Sequence, residues 1–215
     1  PYIGHNSVRK AVLGSARRVP SESERAAMQA LVREGMDRGA IGLSSGLMYL
    51  PGNYAAADEL VSLAGVTAPY GGRYDSHDRN PVNDLLPSLE ECLDTARAAG
   101  VPAHPAHLKA VGSANFGQGP EIVRLIQSRI AAGEQITTDA YPYDGAATRP
   151  VIALLYPGDD PRGRGLAQRL EAILTGKAPP TGMDALAPEL VAYWRDVTPG
   201  SSEYSRAVAS TEKPA

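Results

Sequence analysis

Short apolar runs and helical patterns alternate along this chain in units of about 30 residues, the length of a strand–helix–strand element. That alternation restricts the fold more than any other feature. Runs near residues 2–6, 40–47, 73–77, 101–108 and 135–141 read as strands. Between them lie amphipathic stretches. Residues 21–38 read as a helix that Ser21 or Ser23 caps, with Met28, Leu31 and Val32 on one face and Gly39 as the stop. A second helix covers about 56–66. Leu86, Leu89, Leu93 and Ala96 make the stripe of a third, closed by Gly100, and Val123, Ile126 and Ile130 mark a fourth, closed by Gly133. Strands separated by helices pair in parallel with the helices outside. The fold class is therefore α/β, and the pattern fits a partial (β/α)8 TIM-type barrel. A complete barrel takes about 250 residues, whereas this chain has 215. The alternation stops near Tyr143. Residues 1–150 are thus expected to form barrel, and 151–215 a helical and irregular segment with helical stretches near 165–175 and 186–195 and a strand hint only around Val197.

The bulk properties remove several classes of function. Net charge is −3 and the pI about 5.8. A nucleic-acid or anionic-membrane surface would call for clustered Lys and Arg. No run approaches the roughly 18 apolar residues of a membrane span. The lone Cys92 excludes an intrachain disulfide and sits in a helical pattern, as a small buried side chain would. The chain opens on Pro1, directly in a strand pattern. It is expected to be an internal piece of a longer, cytoplasmic protein, any targeting signal having been lost with the missing part.

Two histidines stand out. His77 ends the run Tyr74-Asp75-Ser76-His77, and His107 lies in His104-Pro105-Ala106-His107-Leu108-Lys109. Both close a strand that precedes a helix, and strand C-termini converge on the catalytic face of a barrel. Two imidazoles there are part of what a hydrolytic metal site needs, but a catalytic zinc takes three protein ligands. The pair alone does not complete one, and ordinary hydrogen-bonded histidines remain the competing reading. His104 lies three before His107, so in a regular strand the two point to opposite faces. It reads as a supporting or packing residue unless the backbone is irregular. His5 reads as a loop anchor. Lys109 is either a cation for a substrate carboxylate or a solvated loop lysine. Asp139 is either a carboxylate that orients an imidazole or a turn residue. Gly42-Leu43-Ser44-Ser45-Gly46 lacks the Lys and Ser/Thr of a phosphate loop.

Taken in order, these segments form a pattern: Gly4-His5-Asn6-Ser7-Val8-Arg9; Gly39-Ala40-Ile41-Gly42-Leu43-Ser44-Ser45-Gly46-Leu47-Met48-Tyr49-Leu50-Pro51-Gly52; Tyr74 to His77; Ala106 to Ala110; Asn115-Phe116-Gly117; Asp139-Ala140-Tyr141-Pro142-Tyr143; and Thr148. They resemble the amidohydrolase superfamily, in its N-acyl-D-amino-acid deacylase branch, over about residues 1–150. The resemblance implies a metal-dependent barrel, usually with zinc, that hydrolyses the amide of N-acyl-D-amino acids. By it, His77 and His107 match metal-binding histidines of the fifth and sixth barrel strands. Lys109, Tyr49 and Tyr141 match positions that hold the substrate. The partner implied is a small molecule, with neither nucleic acid nor membrane.

The departures also matter. Ala147 stands where the family has a small hydroxyl, and Asp78-Arg79-Asn80-Pro81 replaces its acidic run. The family's His-x-His pair and cysteine ligand would precede Pro1. Its general-base aspartate, in a Ser-Asp context, would follow Ala215, since Asp159, Asp160, Asp184 and Asp196 lie in no such motif. No catalytic residue is therefore assigned within the chain, which is expected to span about strands three to seven. One alternative is a non-catalytic barrel fragment. Another is a dihydroorotase-like or hydantoinase-like enzyme, which usually carries a carboxylated lysine on the fourth strand; residues 40–47 contain no lysine.

Overall fold

The structure, a computed structural model, describes residues 1–142 and most of 161–189. Expectations at Tyr143, Ala147, Thr148, the 150/151 boundary, Val197 and the four aspartates beyond residue 158, and most of the 186–195 helix, lie outside the described residues.

Four strands, β1 (Ile3–Gly4), β2 (Gly42–Gly46), β3 (Arg73–His77) and β4 (Ala103–Pro105), form one sheet in chain order. Every pairing is parallel, as strand–helix alternation demands. The register runs Gly42 to Arg73 through Gly46 to His77 between β2 and β3, and sets Asp75 beside His104 between β3 and β4. A Cβ on Gly42 would lie 2.1 Å from the Arg73 carbonyl oxygen, so the two strands approach there as only glycine allows.

The expected fifth strand at 135–141 is reduced to a single parallel bridge, Ala103 to Ile136. The cause lies in β4. Pro105 has no N–H to donate, and the chain then turns at Ala106 and His107, so the ladder cannot continue. It resumes as one bond, from the Leu108 N–H to the Asp139 carbonyl at 2.8 Å.

The helices are α1 (His5–Leu13), α2 (Glu22–Asp37), α3 (Ala57–Ala64), α4 (Leu85–Ala99), α5 (Gly119–Ala131) and α6 (Pro161–Leu174). Ser21 caps α2 in a capping box with Glu24, while Gly100, at φ 69°, ends α4 in the left-handed region. α1 corrects the expectation of a strand through Asn6: the strand ends at Gly4 and a helix begins at His5.

The core lies between the sheet and these helices. Leu43, Tyr74 and Ala103 of the strands meet Met28, Val32 and Met36 of α2, Leu63 and Ala64 of α3, and Leu89, Cys92, Leu93 and Ala96 of α4. Each fully buried Leu contributes about 1.5–3 kcal/mol. Because strand side chains alternate, Tyr74 and Ser76 face this layer while Asp75 and His77 face away from it. The loop after β3 is tied down by Arg79, wholly buried, which pairs with Glu91 of α4 at 2.7 Å and donates to the carbonyls of Asn53 and Ala55. Among the described residues, no helix is long and apolar enough to cross a membrane.

Candidate active site

The ends of β3 and β4 bring His77 and His107 into contact. His77 Nδ1 lies 2.7 Å from His107 Nε2, with ring centroids 4.6 Å apart at 75°. His107 reaches this position through an irregular backbone. β4 has ended, and His107 takes φ +41°, a conformation uncommon for a residue with a side chain. Three bonds hold it there. The Asp139 carboxylate accepts the His107 N–H at 2.7 Å, Lys109 Nζ donates to the His107 carbonyl at 2.7 Å, and Thr138 donates to the Pro105 carbonyl at 2.8 Å.

This turn answers the strand-parity argument about His104. The i and i+3 residues serve the same neighbourhood because the strand ends between them, at Pro105, and a turn follows. His104 Nε2 lies 3.3 Å from Asp139 Oδ1 and 3.8 Å from Asp75 Oδ2, and its other ring nitrogen pairs with Thr137 at 2.8 Å.

A line of hydrogen bonds orders the rings. Lys109 Nζ lies 3.1 Å from His107 Nδ1, and His77 Nε2 lies 3.5 Å from Met48 Sδ. An ammonium only donates, and a thioether accepts weakly. The protons therefore run in one direction, from Lys109 to His107, from His107 to His77, and from His77 to Met48. Burial holds His77 well below the usual imidazole value, at about 4, with the His107 and Lys109 charges adding to the effect. His107 is lowered as well, by burial and then by Lys109. Both rings are therefore neutral near pH 7, the form that ligates a metal.

The other substrate-side candidates lie close by. The Tyr49 ring is 5.0 Å from that of His77, and Lys109 Nζ sits 4.9 Å from the centroid of Tyr141. His5, by contrast, is not at the site. It is buried against Glu59 at 2.8 Å, and Arg9 pairs with the same carboxylate. Met48 and Asp75, quoted within the segments above, were given no place at the site by the sequence. For Asp75 a signal was present, since it lies two residues before His77 and so on the same strand face.

A zinc ion held tetrahedrally at 2.0–2.1 Å separates two ligand nitrogens by about 3.3 Å. The observed 2.7 Å would have to open modestly, and His107 would have to exchange its tautomer. The donor set otherwise fits half of such a site. Among the described residues, no group of three or more His, Cys, Asp or Glu side chains is arranged to hold a metal ion.

No protein-family model matches the chain. Individual relatives do. D-aminoacylase of Alcaligenes xylosoxydans xylosoxydans is 34% identical over 146 residues, which is 68% of this chain and 30% of that protein. The N-acyl-D-aspartate deacylase of the same organism is 34% identical over 152 residues, 69% of this chain and 30% of that protein. Over the matched residues the chain belongs to the D-aminoacylase group of amidohydrolases. A D-aminoacylase crystal structure superimposes on it with a TM-score of 0.63 at 34% identity, covering 66% of this chain and 30% of that one. The N-acyl-D-glutamate deacylase of Bordetella bronchiseptica, complexed with zinc and a phosphonate mimic of the tetrahedral intermediate, does so with a TM-score of 0.63 at 32% identity and the same coverage. Another D-aminoacylase structure concerns a binuclear metal centre with one-metal activation and second-metal attenuation. The chain spans about 30% of the length of the deacylases it matches.

Proposed function

We propose that this chain supplies the middle arc, about strands three to seven, of a zinc-dependent (β/α)8 deacylase acting on N-acyl-D-amino acids, with residues 1–150 as the central part of the barrel and 151–215 as a helical and irregular segment that ends before the last barrel strand. The observation that carries this reading is the contact of His77 and His107 at the ends of adjacent parallel strands, in a chain 34% identical to D-aminoacylase over its matched residues. His77 and His107 would hold the zinc. Once bound, the metal would polarise the scissile carbonyl and lower the pKa of its water toward about 7.

The chain's own residues would place the substrate. When His107 ligates through Nε2, its Nδ1 carries the proton and can no longer accept from Lys109. The ammonium keeps its bond to the His107 carbonyl and turns its remaining donors outward, where a substrate carboxylate forms a charge-assisted bond. Tyr141 lines that cation, and Tyr49 closes the side of His77. The general base would be an aspartate from another part of the deacylase, expected beyond Ala215.

The reading is tested by zinc calorimetry and by assay with N-acetyl-D-amino acids. The 215-residue chain should bind zinc weakly, lose it in His107→Ala, and cleave nothing detectable. A longer chain that supplies the missing strands should cleave, and His107→Ala should abolish that activity. Zinc uptake indifferent to both His77→Ala and His107→Ala would sink the metal assignment. Robust zinc-dependent cleavage by the 215-residue chain alone would show that the site is completed within it.

A further inference from the structure

We propose that Asn6 is a positioning residue whose side-chain amide latches the loop 46–52, seating Tyr49 and Met48 on His77. The functional weight of this latch rests on the roles proposed above for His77 and Tyr49; its geometry does not.

The hydrogen bonds come first. Asn6 Nδ2 donates to the Gly46 carbonyl at 3.1 Å and reaches the Tyr49 carbonyl at 3.4 Å. These two carbonyls belong to the ends of one turn, closed by the Tyr49 N–H on Gly46 O at 3.0 Å. One amide group thus spans the turn that presents Met48 and Tyr49.

The space around the loop is the second observation. A Cβ on Gly52 would lie 2.1 Å from Asn6 Oδ1 and 2.8 Å from its Cγ, and a Cβ on Gly46 would lie 2.9 Å from Tyr49 Cδ2. Both ends of the loop are therefore glycine where Asn6 and Tyr49 press against backbone. The fit also selects asparagine. Aspartate has the shape but only acceptors, and would face two carbonyls. Glutamine carries an extra methylene into a gap that has no room for a methyl.

The third observation is what holds Asn6. It lies in the first turn of α1, between His5 and Arg9, which are both fully buried on Glu59 of α3. The His5–Glu59–Arg9 cluster fixes the start of the helix, and the helix fixes Asn6. The loop then sets the Tyr49 ring 5.0 Å from His77 and Met48 Sδ 3.5 Å from its Nε2. This assigns a use to the Gly4–Arg9 segment, none of whose residues reaches the histidine pair.

The test is nuclear magnetic resonance on the metal-free 215-residue chain. In Asn6→Asp, the cross-peaks between the Tyr49 and His77 rings should be lost and the His77 ring resonances should shift, while the His104–Thr137 contacts persist. Gly52→Ala attacks the latch from the other side, and Asn6→Ala removes its amide without adding bulk or charge; each should cause the same loss. Should Asn6→Asp fail to fold, Asn6→Ala and Gly52→Ala decide. Ring cross-peaks that survive Asn6→Ala or Gly52→Ala overturn the proposal. Since no metal is used, a failure to bind zinc would defeat the catalytic reading and leave the latch standing.

Discussion

Asp139 holds His107 by its backbone and makes no bond to the ring: its Oδ1 accepts the His107 N–H at 2.7 Å. The bond stabilises a left-handed residue that carries a side chain, at φ +41°, against a steric cost of roughly 1–2 kcal/mol. The direction of the imidazole is thereby set by a residue that never touches it. The His107 N–H in turn holds the Asp139 carboxyl below its ordinary value.

Asp139→Ala should lower stability by about 1 kcal/mol, the low side for a bond to a charged acceptor, because the carboxylate is largely exposed. It should also weaken zinc binding by about 10–100-fold, as losing an outer partner of a ligand does. Urea unfolding and calorimetry measure both. An unchanged midpoint would show that Lys109 and Leu108 hold the turn without it.

The metal-free chain should lose stability in mild acid. His77 is lowered from 6.5 to about 4 when folded. As pH falls below 6.5, the unfolded chain binds a proton on this ring and the folded chain does not, so stability rises with pH across the window and falls on acidification. The contribution is at most about 3 kcal/mol. Denaturation in chelator between pH 4 and 7 should show a shallower slope for His77→Gln than for the parent. Equal slopes would mean that His77 titrates normally.

Arg79→Ala should cost about 3–5 kcal/mol, since it takes the guanidinium away from the buried Glu91 carboxylate and releases the carbonyls of Asn53 and Ala55. Arg79→Met together with Glu91→Leu should recover much of that loss. Thermal unfolding of the single and double variants separates the broken ion pair from the lost packing.

Ser21→Ala should cost about 1 kcal/mol by removing half of the capping box that starts α2. The effect should appear as faster amide exchange at Glu24, whose N–H the Ser21 hydroxyl accepts. Exchange at Glu24 unchanged in the variant would assign the cap to Glu24 and Arg18 alone.

Much of this fold was legible because local and global signals agree. The cap at Ser21 or Ser23, the stripe through Leu89 and Leu93, and the stop at Gly100 locate α2 and α4 closely. α1 was hidden because its buried face carries His5 and Arg9 with Val8 and Leu13, so no apolar period shows. The proximity of His77 and His107 followed from strand order, but the way His107 gets there did not. Parity assumes a regular strand, and the turn after Pro105 breaks that assumption through contacts with Asp139, thirty-two positions along the chain. The Asn6 latch was unreadable for the same reason, being formed across 40 and 43 positions.

The close approach at Gly42 has a consequence at the opposite end of the same ladder. Only a backbone without a Cβ enters the notch beside the Arg73 carbonyl, so the notch indexes β3 against β2 like a locating pin. A slip of one residue would send the His77 imidazole into the helix layer and bring Ser76 out in its place. The pairing of two rings at the strand tips is thus decided where the strands begin. An insertion or deletion in the turn before Arg73 would act on the site as a phase error, erasing the histidine pair without altering any residue near it.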